Sequence, residues 1–315
     1  MPYDSYAHLP HMKLAAIDIG SNAIRFQVIR VIRYSDTLSF KKLEYIRFPL
    51  RLGADVFKNG EIGSTTLKRF DKLMQTFKLM LDLYEVEGYV GVATSAMREA
   101  KNAPAVLQRI RDAFGLDVQI ISGTQEAEIL SKAITPFLDG GMYLHIDVGG
   151  GSTELNFYEN QSRQNSKSFQ MGTVRRLTEV QKKEVFQQAE DWVNAQKHAQ
   201  GKSPLIAVGT GGNIRKLFQL SIFPKSGSIT LSELCALQAY VGALSMEDRL
   251  NLLKLNPDRA DVIIPAAEIY IEVMRRAQAD RILVPNVGLK DGLLYQLYEK
   301  VSGEPIRKIE FLDQI

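Results

Sequence analysis

At 315 residues, with 45% hydrophobic and 24% charged side chains, the chain has the composition of a folded soluble protein and the length of two domains of roughly 150 residues. Its formal charge of +3, from 39 basic and 36 acidic residues, excludes a histone-like or polybasic nucleic-acid binder, so any basic patch for a polyanion must be assembled by folding. The single cysteine, Cys235, excludes an intramolecular disulfide, and the four histidines show no zinc-type spacing.

In chain order, the opening MPYDSYAHLPHMK lacks the apolar core of a secretory signal, and no uncharged apolar run nears the roughly 18 residues that cross a bilayer. A cytoplasmic protein without membrane association is expected, with Cys235 a small buried residue. Residues 13–32, KLAAIDIGSNAIRFQVIRVI, read as a buried strand, a small-residue turn at Gly20, Ser21 and Asn22, and a return strand; Asp18 opens the turn. A third strand is expected over 40–48. Apolar positions at Leu67, Phe70, Leu73, Met74, Phe77, Met80 and Leu81 then predict one face of a helix over 65–85. Strand–turn–helix units follow at 89–100 (YVGVATSAMREA) and 117–129 (DVQIISGTQEAEI). Arg98 sits at the first helix start, where a guanidinium can clamp phosphate oxygens. Glu126 and Glu128 lie near the second, where a carboxylate can orient a water or simply favour the helix dipole.

The second half repeats this order. Residues 142–159, MYLHIDVGGGSTELNFYE, form a hairpin pattern in which Asp147 precedes Gly149, Gly150 and Gly151, followed by Ser152 and Glu154. Three glycines uncover amides and permit positive φ, which suits an anion-binding nest, and Asp147 at a strand end can hold a hydrated Mg²⁺. His145 alternates into the apolar strand and reads as core. A third strand near 167–171, Arg175 and Arg176 as candidate phosphate contacts, and a helix over 184–200 come next. At 205–217 (LIAVGTGGNIRKL) Gly211 and Gly212 open a helix whose N-terminus can bind an anion. The stretch 234–245 is a core helix. The unit at 280–297 carries Lys290, another candidate phosphate contact, and residues 303–315 are expected to pack back on the first half. The order βββ-α-β-α-β-α thus occurs twice, predicting two like lobes with their turns facing one cleft. Neither the dinucleotide GxGxxG pattern nor a Walker A loop is present.

The segments AAIDIGSNAIRFQVI, VATSAMREA, IISGTQEAE, LHIDVGGGSTELNFYE, AVGTGGNIRKL and NVGLKDGLLY resemble, in this order over roughly residues 13–300, the exopolyphosphatase/guanosine pentaphosphate phosphohydrolase family of the actin/Hsp70/sugar-kinase superfamily. The resemblance implies an α/β fold of two duplicated ribonuclease-H-like domains with an interdomain cleft, the first comprising residues 1–125 and 303–315, the second 126–302. It implies hydrolysis of the terminal phosphoanhydride of polyphosphate or of guanosine pentaphosphate, dependent on Mg²⁺ or, alternatively, Mn²⁺. Carried over by position, Glu126 is the water-activating base. Asp147 and Glu154, with Asp18, attend the metal. Ser21, Asn22, Arg98, glycines 149–151, Ser152, Gly211 and Gly212 contact phosphate. Two departures stand out: Asn213 replaces the Thr or Ser of many relatives, and these residues include no counterpart of the C-terminal helical region that extends the channel in some members, so processive action on long chains is not expected. A superfamily small-molecule kinase and an actin-like nucleotide-gated interaction protein are the other readings, and a homodimer is the expected assembly.

Overall fold

The computed structural model describes residues 12–34, 37–200, 205–222, 227–306 and 309–310. Apolar β-formers flanking the first small-residue turn pair as the antiparallel hairpin β1 (Lys13–Ile19) and β2 (Ile24–Tyr34), and β3 (Thr37–Phe48) pairs back on β2. Then come α1 (Leu52–Asn59), α2 (Ser64–Tyr84), β4 (Gly88–Ala93), α3 (Ser95–Glu99), α4 (Ala103–Phe114), β5 (Gln119–Ile120) and α5 (Gly123–Ile134). The meander recurs as β6 (Met142–Val148), β7 (Thr153–Glu159) and β8 (Ser162–Phe169), followed by α6 (Glu179–Gln200), β9 (Leu205–Thr210) and α7 (Gly212–Leu220). An insertion of β10 (Ser228–Thr230), α8 (Leu231–Ala243), α9 (Met246–Asn251) and α10 (Pro257–Ala260) precedes α11 (Ile263–Ala277), β11 (Arg281–Leu283), α12 (Leu289–Ser302) and β12 (Ile309–Glu310).

The first sheet runs β12-β3-β2-β1-β4-β5 and the second β10-β11-β9-β6-β7-β8. Without the edge strands β12 and β10, both share one order: an antiparallel meander, then two parallel strands beyond the first. The duplication expected from the sequence is therefore present, as two α/β domains of like topology. At the edge of the first sheet, β12 pairs in parallel with β3 through Ile309 and Glu310.

Strand alternation sends successive side chains to opposite faces, and both faces are covered. In β1, Ala15, Ile17 and Ile19 face a core built with α2, α3 and α4, whereas Leu14 and Ala16 face Leu293, Leu294, Leu297 and Tyr298 of α12. In β6, Leu144, Ile146 and Val148 join a core with α7, α8 and α11, while Tyr143 faces Leu130 and Ile134 of α5. Helices α5 and α12 form the layer between the sheets. Their close approach needs Gly292, where a Cβ would lie 2.1 Å from the carbonyl oxygen of Ile129. Helix α12, grouped with the second half in the sequence reading, thus packs on the first sheet, because its apolar face completes the Leu14/Ala16 side of β1.

Cys235, expected to be buried, is only half-buried, and an Arg275 nitrogen lies 3.4 Å from its Sγ. His8, His11, the N-terminal segment judged not to be a signal, and Gly201-Lys202-Ser203 lie outside the described residues, as does the side chain of His198. No helix among the described residues is long and apolar enough to cross a membrane.

Candidate functional site

The same alternation that fills the cores aims two aspartates into the space between the sheets. Asp18 follows Leu14 and Ala16 on the α12 side of β1, and Asp147 follows Tyr143 and His145 on the α5 side of β6. Both stand at a strand end and line a cleft of about 560 Å³. The cleft also takes in Gly20, Ser21, Asn22, Glu126, Gly149, Gly150, Ser152, Glu154, Gly211 and Gly212, so turns from both sheets converge there as the repeat predicts.

Register decides what each aspartate meets. On β7, Glu154 is directly opposite Asp147, and Glu126 enters from the first turn of α5; ligand oxygens of these three lie within 4.8 Å of one another. All three carboxyls have raised pKa values. Burial is the first cause for Glu126, reinforced by the charges of Glu154 and Asp147 and opposed by Arg98. Burial and Asp147 push Glu154 up to about 7, against hydrogen bonds from the hydroxyls of Ser152 (2.7 Å) and Ser168 (2.9 Å). Burial likewise raises Asp147, which accepts a 2.8 Å hydrogen bond from Thr210 Oγ1. Burial raises all three, Asp147 adds to the shift of Glu154, and both add to that of Glu126; three convergent carboxyls form the oxygen donor set that a hard divalent cation takes. Glu128 is exposed, which separates it from Glu126.

Asp18 lies outside this cluster. On β2, Arg25 is its register partner, and Arg25 Nη1 donates to Asp18 Oδ2 at 2.8 Å. Burial works against the Arg25 charge, but Asp18, Tyr45 and Asp147 more than offset it, and its pKa is raised. Asp18 is thus placed to hold a cationic side chain in the cleft rather than to join the acidic cluster.

The turns offer amides, though not for the reason their glycines suggest. None of glycines 149–151 has positive φ; among the glycine turns of the cleft only Gly211 does, at 103°. What the triple glycine permits is close approach: a Cβ on Gly151 would lie 2.2 Å from the Phe57 ring, and one on Gly150 2.9 Å from Ser21 Cβ. The two lobes touch through these turns. Backbone amides of Thr173, Val174 and Arg175 cap the carbonyls of Gly149 and Gly150, while no described residue accepts from the amides of Gly150, Gly151 or Ser152. The amides of Ser21 and Asn22 and the N-terminal amides of α7 at Gly212 and Asn213 are equally free of protein acceptors among the described residues. Free amides of this kind bind anions. The side chains are more occupied. Ser21 Oγ accepts from the Ala96 amide (3.1 Å) and lies 2.7 Å from Ser95 Oγ, the Asn22 amide donates to the Asp258 carbonyl (3.1 Å), and Ser152 serves Glu154.

Arg98 does not line the cleft. It donates to the Ile121 carbonyl (2.8 Å) and to Glu126 Oε2 (3.1 Å), tying the candidate base to the residue that follows β5. Arg175 braces the lobes: it stacks 4.3 Å from the Phe57 ring centroid, donates to the Gly151 carbonyl (2.7 Å) and pairs with Glu99. With Arg176 it lines a separate cavity of about 480 Å³. Lys290 does line the cleft, beside Tyr45 and paired with Asp291 at 2.7 Å.

Sequence reasoning missed most of the positive wall. Arg25, Arg47, Arg215, Lys216 and Arg259 line the cleft with Lys290. Arg47 is the β3 register partner of Arg25 and pairs with Asp258. Arg215, Lys216 and Arg259 have no acidic partner within salt-bridge distance among the described residues, and burial lowers the pKa of Arg215 and Arg259. The available signal was a charged residue, Arg25, at a polar position of the alternating strand between Ile24 and Phe26, whose meaning depends on pairing.

Comparison with known proteins agrees with this fold. The chain is 26% identical over 306 residues to a guanosine-5'-triphosphate,3'-diphosphate pyrophosphatase of Vibrio atlanticus, covering 93% of this chain but 61% of that protein, so it spans about three fifths of that relative's length. It is 25% identical over 306 residues to exopolyphosphatase 1 of Mycobacterium bovis, covering 90% and 87% of the two chains. Among solved structures, a Ppx/GppA enzyme of Aquifex aeolicus superposes with a TM-score of 0.70 at 26% identity, covering 90% of this chain and 98% of that one. An exopolyphosphatase of Cytophaga hutchinsonii gives 0.78 at 22% identity, over 94% and 99%, and supports the fold. The model of the Ppx/GppA phosphatase family matches residues 31–301, and the chain belongs to that family.

Proposed function

We propose that the chain hydrolyses the terminal phosphoanhydride of inorganic polyphosphate, releasing phosphate. The observation that carries this reading is the convergent Glu126–Asp147–Glu154 cluster in a cleft lined by six cationic side chains and three sets of free turn amides. Phosphoryl transfer to water needs positioning and charge neutralisation rather than covalent chemistry, and these groups supply both. The amides of Gly150, Ser152, Ser21 and Asn22 hold the terminal phosphates, and Arg25, Arg215, Lys216 and Arg259 balance their charge. Glu126, oriented by Arg98, accepts a proton from the attacking water; its raised pKa suits that role. Water oxygen bonds to the terminal phosphorus, the bridging P–O bond breaks, and the shortened chain leaves with the electron pair. Asp147 and Glu154, with Glu126, would hold Mg²⁺ or Mn²⁺, which when bound neutralises charge on the phosphate oxygens.

A second reading, hydrolysis of guanosine pentaphosphate at its 5' end, is supported by the name of the Vibrio relative, and both substrates present the same anhydride to the cluster. Phosphate release from polyphosphates of several lengths, guanosine pentaphosphate and ATP, with and without Mg²⁺, tests the proposal. Metal-dependent release from polyphosphate exceeding that from the other two is expected. Release from guanosine pentaphosphate alone would shift the assignment to the second reading. ATP-dependent labelling of an acceptor, or nucleotide-gated self-association without hydrolysis, would replace it with a kinase or an actin-like interaction protein. A cytosolic homodimer is the setting we propose.

A further inference from the structure

His145 has no role in the chemistry just described, yet it lies under Asp147. It is fully buried, two residues before Asp147 on the same face of β6, in register with Val208 of β9. Its neighbours Tyr143 and Val208 pack with Leu130 and Ile134 of α5, an apolar layer in which an imidazole loses its hydration. Both ring nitrogens are nevertheless engaged. Asn156, its register partner on β7, brings Nδ2 to 2.9 Å from Nδ1, and Thr210 Oγ1 lies 2.9 Å from Nε2. Thr210 is the β9 register partner of Asp147 and completes the chain at 2.8 Å from Asp147 Oδ1. Tyr270 fixes the Thr210 backbone by donating to its carbonyl at 2.5 Å.

Proton counting fixes the direction of this chain. An amide nitrogen only donates, so Nδ1 of His145 accepts, and the proton of the neutral ring resides on Nε2. Nε2–H donates to Thr210 Oγ1, and the single hydroxyl proton is directed to Asp147 Oδ1. A leucine at 145 would fill the layer without setting that direction.

We propose that His145 is a positioning residue that acts through Thr210 to hold the Asp147 carboxylate in one rotation within the hydrolytic cluster. This rests on the reading of Asp147 as a carboxylate of that cluster. Outer partners of this kind orient the ligand they touch, and losing one lowers affinity or activity by about 10- to 100-fold.

The test uses the full chain with His145→Leu, His145→Gln, Thr210→Val and the double variant His145→Leu/Thr210→Val, measuring phosphate release from polyphosphate and Mg²⁺ binding by calorimetry. His145→Leu and Thr210→Val should each lower kcat by about 10- to 100-fold, with KM held within about two-fold, and weaken Mg²⁺ binding. The double variant should be no worse than Thr210→Val, because the two act in series. Gln can accept from Asn156 and donate to Thr210, so His145→Gln should recover most of the loss. Additive losses in the double variant, or normal turnover and Mg²⁺ binding in His145→Leu, would overturn the proposal. ¹⁵N NMR of the histidine-labelled wild-type protein supplies a reading independent of activity and of whether His145→Leu folds. An Nε2-protonated ring is expected, and an Nδ1-protonated ring overturns the chain of donors. Absence of phosphate release from wild-type protein would sink the hydrolase reading alone, leaving tautomer and Mg²⁺ affinity to judge His145.

Discussion

The hairpins β1–β2 and β6–β7 are the same device built twice, and they differ decisively at one register position. Across from Asp18 stands Arg25; across from Asp147 stands Glu154. In the first lobe the aspartate is neutralised and the hairpin presents a cation to the cleft. In the second, a like-charged neighbour and Glu126 leave a carboxylate cluster that calls for a cation from outside. A duplicated fold has thus been divided into a side that presents a cation to the cleft and a side that presents a carboxylate cluster able to hold one. Aspartates alike in sequence context do opposite electrostatic work because of the residue across the strand.

The strongest way to break this picture is at Glu126. Glu126→Gln keeps the shape but not the base, so kcat should fall by about 10²- to 10⁴-fold with substrate binding retained. Near-normal phosphate release would remove Glu126 from the reaction. Next, Arg25→Met leaves Asp18 buried without its partner. It should lower stability by about 2–4 kcal/mol in denaturant titration, less than a fully buried pair because the Arg25 side chain is 30% exposed. A stability change near zero would mean that Asp18 is not held by Arg25. Gly292→Ala drives a methyl into the Ile129 carbonyl between α5 and α12, and should cost about 1–3 kcal/mol in thermal unfolding, whereas an unchanged melting temperature would mean that the helices have room to part.

The smallest effect is a pH dependence that separates the two hairpins. Glu154 has a folded pKa raised from 4.5 to about 7, so the folded state binds more protons than the unfolded between those values, and stability falls as pH rises through that window. Glu126 and Asp147, also raised, act in the same direction. In chelator, the melting temperature should decline from pH 4.5 to 7 for this reason, and Mg²⁺ should restore it most above pH 7. Glu154→Gln should flatten the decline; a slope unchanged in that variant would assign it elsewhere.

Much of this was legible in the sequence because it is carried by short-range pattern. Asp18 and Asp147 each end an apolar strand before a small-residue turn, and matched order along the chain revealed the duplication. Glu126 was legible as a first-turn residue because it is the fourth residue of a capped helix, Ser122 and Gln125 forming the box that fixes the turn. The rest depended on partners distant in sequence. Arg47 meets Arg25 only through β2–β3 pairing, which carries a bulge between Val28 and Ile29, so counting along the strands does not reveal it. Arg98 reads as a phosphate clamp until the fold brings it to Glu126. The triple glycine was identified but misexplained: only the opposing lobe shows that its missing side chains make room for Phe57 and Ser21. The metal role expected of Asp18 gave way to a cross-strand neighbour that turn chemistry does not mention.

The placement of α12 also bears on how the protein is made. The Leu14/Ala16 side of the first sheet is covered by residues some 280 positions later in the chain, so an emerging N-terminal lobe would present that apolar face uncovered until Leu293, Leu294, Leu297 and Tyr298 arrive. The first sheet is therefore sealed on this face only when the C-terminal helix α12 has been made.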